Sequence, residues 1–456
     1  MPPRFGTDGV RGVANVDLPP EFALALGRAL ARVLYGPGDR RACAVGRDTR
    51  RSGPLLQAAL SAGLASEGID VVDVGVLPTP GVAAAGRRLG VPAAVISASH
   101  NPFADNGIKV FAAGGRKLRP ELEAAVESAL EAVLGDAAPT GAPRGAAVGT
   151  IVADPGASSA YCDEVVAALD GRRLEGVRVV LDAGHGAASL TAPAVFSAAG
   201  AEIVGRLGVD PDGVNINDGC GSTDPERLVA DVRARRADVG LAFDGDADRV
   251  IAVDEHGEVV DGDRLLALFA ADMASRGRLA GDTLVVTVMS NLGLHQAMAA
   301  AGIAVHTTAV GDRAVLEALD GHGWSLGGEQ SGHLVFRDLA TTGDGVLSGV
   351  LLLDLLRRRG QPLSQLAAGA MQRLPQVLRN VAVANPDGLV EAAAVWDEVR
   401  AVEADLGATG RVLLRPSGTE PLIRIMVEAP AIEVAEAATE RIAAAVARAL
   451  GQPGET

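Results

Sequence analysis

Apolar, strand-like runs alternate with helix-like runs along most of this chain, and that alternation limits what it can fold into. The helix-like GVAAAGRRLG precedes VPAAVISAS, VRVVLDAGHG leads into ASLTAPAVFSAAG, and TLVVTVMSN leads into LGLHQAMAAAG. Such alternation predicts α/β domains on largely parallel sheets, with ligands gathering at the carboxyl ends of the strands. A length of 456 residues provides for several domains, and 48% apolar residues can fill several cores. The stretch GDAAPTGAPRGAAVGT, residues 135–150, is rich in Ala, Gly and Pro and lacks any period, which predicts a boundary near residue 150. Softer boundaries are expected near residue 253, after DGDADRVIAVD, and near residue 370, before LPQVLRNVAVA. The expected domains are 1–150, 151–253, 254–370 and 371–456. The last reads as a small α+β module, with two strands around Gly410 to Glu428 between Ala-rich helices. The three α/β segments are readable as divergent copies of one unit.

Composition removes several function classes. A formal charge of −16 argues against a broad basic surface for nucleic acid. The richest apolar run, Val346 to Leu356, is interrupted by Asp354, and MPPRFGTDGV lacks the basic start and apolar stretch of a secretory signal. Neither a membrane nor export is expected. Cys43, Cys162 and Cys220 form no CxxC pair, which fits a reducing cytoplasm without structural disulfides. Only Lys109 and Lys117 among 41 basic residues are lysines. Lysine titrates readily on burial where guanidinium stays charged, so each is a candidate chemical choice.

Four constellations carry chemistry. In ISASHNPFADNGIKVF an apolar strand, Ala93 to Ile96, presents Ser99, His100 and Asn101 in a polar turn. No GxSxG elbow is present, and in an extended segment the adjacent Ser99 and His100 side chains point apart, which disfavours hydrolase chemistry. Turn formation alone is the competing reading. In DVGLAFDGDADRVIAVD, Asp244, Asp246 and Asp248 end a strand, with Arg249 adjoining. Three carboxylates at alternate positions repel one another unless a hard cation joins them, and Mg²⁺ then has open positions for phosphate oxygen. An EF-hand is excluded, since Arg249 occupies the position of the turn glycine and the flanks are strand-like.

RVLLRPSGTEPLIRIMVE places Arg415, Ser417, Gly418 and Thr419 after one strand and Arg424 on the return strand. Exposed N–H groups, hydroxyls and forked guanidinium donors make a phosphate cradle, although PSG is also an ordinary turn. GWSLGGEQSGHLVF displays Glu329, Gln330, Ser331 and His333 between two strands, groups suited to sugar hydroxyls and proton transfer. Arg11, Arg47, Asp48 and Arg50 add charge, with surface ion pairs as the plain alternative. Neither lysine lies in GxxxxGK[ST], which disfavours a kinase of that type.

In order, FGTDGVRG, GRDTRRSG, SASHNP, DGDADR, GEQSGH and RPSGTEP resemble the signature series of the α-D-phosphohexomutase superfamily, spanning Phe5 to Pro421. FGTDGVRG, NINDGCGST and GEQSGH resemble its bacterial phosphoglucosamine mutase family. LDAGHGA departs from many relatives, with His185 where asparagine is expected. The resemblance implies three similar mixed α/β domains plus a smaller C-terminal α+β domain around one central cleft. It further implies Ser99 as a phosphorylated nucleophile, and Mg²⁺ held by Asp244, Asp246, Asp248 and the phosphoserine.

Glu329 and Ser331 would grip ring hydroxyls. Arg415, Ser417, Gly418, Thr419 and Arg424 would hold the non-reacting phosphate. Lys109, Arg249 and His333 would surround the reacting oxygen, with Arg11 and His100 completing the catalytic set and the general base left open. The implied reaction interconverts glucosamine 6-phosphate and glucosamine 1-phosphate through a sugar 1,6-bisphosphate and supplies amino sugar for UDP-N-acetylglucosamine and cell-wall synthesis; the bisphosphate as activator and a separate kinase are both open as the source of the first phosphate on Ser99. The partner is a small phosphosugar; a homodimer is compatible with the sequence. The rival readings are a phosphoglucomutase or phosphomannomutase, and a non-catalytic phosphosugar-binding protein.

Overall fold

The computed structural model describes residues 9–36, 38–135, 142–417 and 420–451. Phe5 to Asp8 of the first motif, linker residues 136–141, and Gly418 and Thr419 lie outside the described residues.

The first sheet contains β1 (Val10–Val13), β2 (Ala42–Arg47), β3 (Asp70–Val76), β4 (Ala93–Ile96), β5 (Asp105–Ala112), β6 (Arg116–Lys117) and β7 (Ile151–Ala153), in the order β1-β5-β4-β2-β3-β7 with β6 beside β5. Its helices are α1 (Pro20–Val33), α2 (Gly53–Ser66), α3 (Thr79–Leu89) and α4 (Pro120–Gly135). After α5 (Ala157–Ala167), the second sheet runs β12-β11-β10-β8-β9. Its strands are β8 (Arg178–Asp182), β9 (Glu202–Leu207), β10 (Val239–Phe243), β11 (Val250–Asp254) and β12 (Val259–Val260), with α6 (Ala188–Ala199) and α7 (Glu226–Arg235). The third, β14-β13-β15-β16, uses β13 (Thr283–Thr287), β14 (Ala304–Thr308), β15 (Leu326–Gly328) and β16 (Leu334–Phe336). In chain order α8 (Gly262–Ser275) precedes it, α9 (Leu292–Ala300) and α10 (Asp312–His322) fall within it, and α11 (Gly345–Arg359) and α12 (Leu363–Ala370) follow.

These sheets are mixed rather than largely parallel, and the same device recurs in each. The last strand of the parallel set turns straight back into an antiparallel neighbour: β4 into β5, β10 into β11, and β15 into β16. Parallel neighbours need a crossover, whereas an antiparallel pair closes through a short connection. The three connections carry Ser99, the Asp244–Asp248 cluster, and Glu329 with His333. The strand end predicted to present ligands is therefore a hairpin end held from both sides.

Residues 9–289 with Gly302–Ala370 form one compact body, and Ser290–Ala301 with residues 371–451 form a second. The second body has three strands, not two: β17 (Gln376–Ala382) pairs with β19 (Leu422–Glu428), which pairs with β18 (Arg411–Pro416). Four of the seven residues of β17 are exposed, so its hydropathy does not announce a strand. Helices α13 (Ala393–Leu406) and α14 (Ile432–Leu450) supply Val395, Val399, Ile442 and Val446 to the core. Glu428, fully buried, accepts from Arg411 at 2.8 Å and from the Leu292 N–H at 2.7 Å, which ties α9 to this sheet. No helix among the described residues is long and apolar enough to cross a membrane.

In the first domain α1 packs against α2 so closely that a Cβ on Gly63 would lie 2.1 Å from the Leu24 carbonyl oxygen. Gly63→Ala is therefore expected to destabilise the chain by about 1–3 kcal/mol through overpacking. Thermal unfolding checks this, and an unchanged midpoint would contradict the packing.

Candidate active site

Ser99 lies in the turn between β4 and β5, and its conformation is held by residues from outside that turn. Its backbone is left-handed, φ 54°, a conformation L-residues avoid. Three contacts hold it there. The Ser99 N–H donates to Ser97 Oγ at 2.9 Å, and Ser97 Oγ donates to Asp48 at 2.7 Å. Arg50, 1% exposed, pairs with Asp48 at 2.9 Å and donates to the carbonyls of Ser99 and Asn101 at 2.8 Å and of Asp105 at 3.0 Å. Asn217 Nδ2 donates to the Ser99 and Asn101 carbonyls at 3.0 and 3.2 Å. Arg50 is thus no surface ion pair but the clamp of the serine loop.

The left-handed turn also corrects the expectation that Ser99 and His100 point apart. That alternation holds only for extended backbone; here Ser99 Oγ lies 3.5 Å from His100 Nδ1. Arg249 Nη1 is 3.2 Å from the same Nδ1 and can only donate, which fixes His100 with its lone pair on Nδ1. Burial, with Arg249 and Arg11 nearby, holds the imidazole below its ordinary value. Arg11 comes from β1, opposite Gly107 of β5.

Ser99 Oγ, itself buried, donates to Asp244 Oδ2 at 2.5 Å. Asp244, Asp246 and Asp248 are all buried, with one carboxylate oxygen of each within 4.8 Å of the others. Burial and repulsion from Asp248 and Asp246 push the Asp244 carboxyl well up. Burial acts the same way on Asp248, but Lys109, His333 and Arg249 outweigh it and hold that carboxyl well below the usual range. Lys109 Nζ lies 2.6 Å from Asp246 Oδ2 and 3.1 Å from Asp248 Oδ2. Asp246 Oδ1 and Asp248 Oδ1 accept no hydrogen bond from any described residue, although both are buried. Three buried carboxylates this close together, with two oxygens that accept no hydrogen bond from a described residue, fit a hard divalent cation.

His333 completes this cluster. Its Nδ1 is 3.7 Å from Asp248 Oδ1, and Nε2 accepts the Gly343 N–H at 3.2 Å. A Cβ on Gly343 would sit 2.5 Å from the ring, so only glycine permits this seat. Burial lowers the imidazole pKa, but Asp248, Asp312 and Glu329 outweigh it and raise it overall. Asp312 is in turn paired with Lys117. Glu329 is half-buried, its Oε1 accepting the Gly311 N–H at 3.0 Å, and Ser331 stands exposed in the same turn.

In the second body Arg415 and Arg424 face each other directly across β18 and β19. Like charges opposite one another destabilise a sheet unless an anion lies between them. Burial, then Arg424, lower the Arg415 pKa, and Arg424 Nη2 lies 3.5 Å from Ser417 Oγ. Two guanidinium groups and a hydroxyl thus lie together on one hairpin.

Phosphoglucomutase/phosphomannomutase family models match all four domains: α/β/α domain I over residues 2–134, domain II over 159–257, domain III over 261–374 and the C-terminal domain over 378–449. A phosphoglucosamine mutase of Rhodococcus opacus is 53% identical over 97% of this chain and 99% of its own length. The chain belongs to the phosphoglucosamine mutase family. A second family member, from Moorella thermoacetica, is 53% identical over 93% of this chain and 95% of its own length. Among solved structures, a phosphoglucomutase/phosphomannomutase family protein of Burkholderia thailandensis superposes with a TM-score of 0.80 at 27% identity, covering 98% of both chains. Aspergillus fumigatus N-acetylphosphoglucosamine mutase, solved with GlcNAc-6P and magnesium, shares the fold at a TM-score of 0.68 and 18% identity, over 98% of this chain and 96% of that one.

In this phosphoglucosamine mutase family member, Ser99, His100, Lys109, the three aspartates, Arg249 and His333 converge, while Arg415, Ser417 and Arg424 form a cluster of their own. Sequence reasoning passed over Thr79, whose hydroxyl donates to Asp246 Oδ2 at 2.6 Å, and Asn217, visible only as part of NINDGCGST. If the aspartates hold a cation, adding a divalent ion at about 100 times its Kd should stabilise the chain by about 2.7 kcal/mol. Calorimetry checks this; the gain should vanish in Asp246→Asn, and equal gains in both proteins would contradict the assignment.

Proposed function

We propose that Ser99, once phosphorylated, carries the phosphoryl group in an interconversion of glucosamine 6-phosphate and glucosamine 1-phosphate. The observation that carries this reading is the buried Ser99 hydroxyl, hydrogen-bonded to a carboxylate of the aspartate cluster. His100 Nδ1 lies 3.5 Å from Ser99 Oγ, but the hydroxyl donates its proton to Asp244, which aims it at the acidic cluster where phosphoryl transfer needs it.

In the forward direction the 1-hydroxyl of glucosamine 6-phosphate attacks the phosphorus on Ser99. The Oγ–P bond breaks as the O1–P bond forms; the O1 hydroxyl gives up its proton to a base beside the reacting oxygen, and Ser99 Oγ takes up a proton as it leaves as the free hydroxyl. The 1,6-bisphosphate turns around, and its 6-phosphoryl returns to Ser99, leaving glucosamine 1-phosphate. Lys109 and Arg249 place positive charge beside the transferring group, whose loose transition state spreads charge over three oxygens. Asp244, Asp246 and Asp248 would hold Mg²⁺, which when bound adds charge neutralisation at the phosphoryl oxygens. Arg11 and His100 border the serine loop, Glu329 and Ser331 grip ring hydroxyls, and Arg415, Ser417 and Arg424 hold the phosphate that is not reacting. A sugar 1,6-bisphosphate is the activator that first loads Ser99. Free thiols at all three cysteines support a reducing cytoplasm, with a supply of amino sugar to UDP-N-acetylglucosamine as the role.

The test is ³¹P NMR of the purified chain with Mg²⁺, a trace of bisphosphate, and either glucosamine 6-phosphate or glucose 6-phosphate. Preference for the amino sugar is expected, with no turnover by a folded Ser99→Ala variant. Equal or better use of glucose would point to a phosphoglucomutase instead. Arg415→Ala should raise KM by about tenfold, the loss of one charge-assisted hydrogen bond at roughly 1.4 kcal/mol, and an unchanged KM would contradict the cradle.

A further inference from the structure

We propose that Thr79 is a positioning residue for the cation site: its hydroxyl pins one oxygen of Asp246 so that the other is aimed at the metal. This rests on reading the aspartate cluster as a divalent-cation site.

Thr79 is the first residue of α3, between Pro78 and Pro80, and is 1% exposed. The flanking prolines restrict the backbone, and the helix start leaves its N–H without an intrahelical partner. That N–H donates instead to the Asp246 carbonyl oxygen at 2.9 Å, while the Thr79 hydroxyl donates to Asp246 Oδ2 at 2.6 Å. One residue of the first domain therefore grips both the main chain and the side chain of Asp246 in the second.

The two oxygens of Asp246 then have different tasks. Oδ2 takes Thr79 and, at 2.6 Å, Lys109 Nζ; Oδ1 is buried and accepts no hydrogen bond from a described residue. The terminal torsion of an aspartate is broad and intrinsically soft, so the carboxylate plane is set by what binds it. Lys109 alone does not fix that plane, because its ammonium also reaches Asp248 Oδ2 at 3.1 Å. The short, directional Thr79 bond does. Partners that orient a metal ligand are commonly worth about 10–100-fold in metal affinity.

The experiment measures Mn²⁺ binding to the full chain by electron paramagnetic resonance of the free ion, with metal-dependent stabilisation as a second readout. Thr79→Val, which keeps the shape and loses the donor, is expected to weaken Mn²⁺ binding by about 10–100-fold. Thr79→Ser, which keeps the donor, should stay within about threefold of the parent, well inside that range. A parental Kd in Thr79→Val, or a loss in Thr79→Ser as large as in Thr79→Val, would overturn the inference. Should Thr79→Val not fold by circular dichroism, Thr79→Ala takes its place with the same expectation and the same contrary result. Failure of the parent chain to bind Mn²⁺, or parental binding by Asp246→Asn, would instead overturn the cation-site reading itself.

Discussion

Three buried carboxylates within reach of one point set the terms for the rest of this structure. Asp244, Asp246 and Asp248 repel one another in a dry environment, and every strong contact around them reduces that cost. Lys109 bridges two of them, Arg249 and His333 face the third, Thr79 binds the second and Ser99 the first. These partners come from three successive sheets, so the electrostatics of one hairpin ties three domains to a common site. The arginine clamp at Arg50 follows from the same demand, because Ser99 reaches Asp244 only if its loop is kept left-handed.

The repeated hairpin explains how four short motifs, far apart in sequence, come to carry related duties. In each α/β domain the active loop leaves the last strand of the parallel set and re-enters as an antiparallel strand, so both ends of the loop are fixed by ladder hydrogen bonds. A serine, an acidic cluster and the turn bearing Glu329 and His333 have been placed on one scaffold. The fourth domain uses a plain β18–β19 hairpin, where opposed arginines replace opposed acids. The clusters at the two sites are opposite in sign: carboxylates in one body, opposed guanidinium groups in the other.

Much of this was legible in the sequence, because the chemistry lies in contiguous motifs at strand ends. The alternate aspartates, Ser99 after an apolar run and the arginines flanking PSG each announced a kind of ligand. What stayed hidden depends on tertiary placement. The proximity of His100 to Ser99 requires a positive φ that no propensity assigns to serine. Arg50 looks like any surface arginine until it is buried among carbonyls, and Thr79 looks like a helix start until Asp246 arrives from the second domain. Strand β17 was missed because a largely exposed strand lacks apolar alternation. The two lysines are both paired with acids near this cluster: Lys109 sits among the aspartates, and Lys117 pairs with Asp312 beside His333.

The central claim is that Ser99 transfers a phosphoryl group rather than merely lying near a cation. The most direct measurement loads the chain with labelled phosphate from glucosamine 1,6-bisphosphate, isolates it, and follows a single turnover with excess glucosamine 6-phosphate. The account predicts label on Ser99 alone, passing to the sugar at least as fast as steady-state turnover. Label on another residue, or label that stays on the protein while sugar phosphate is interconverted, would contradict it.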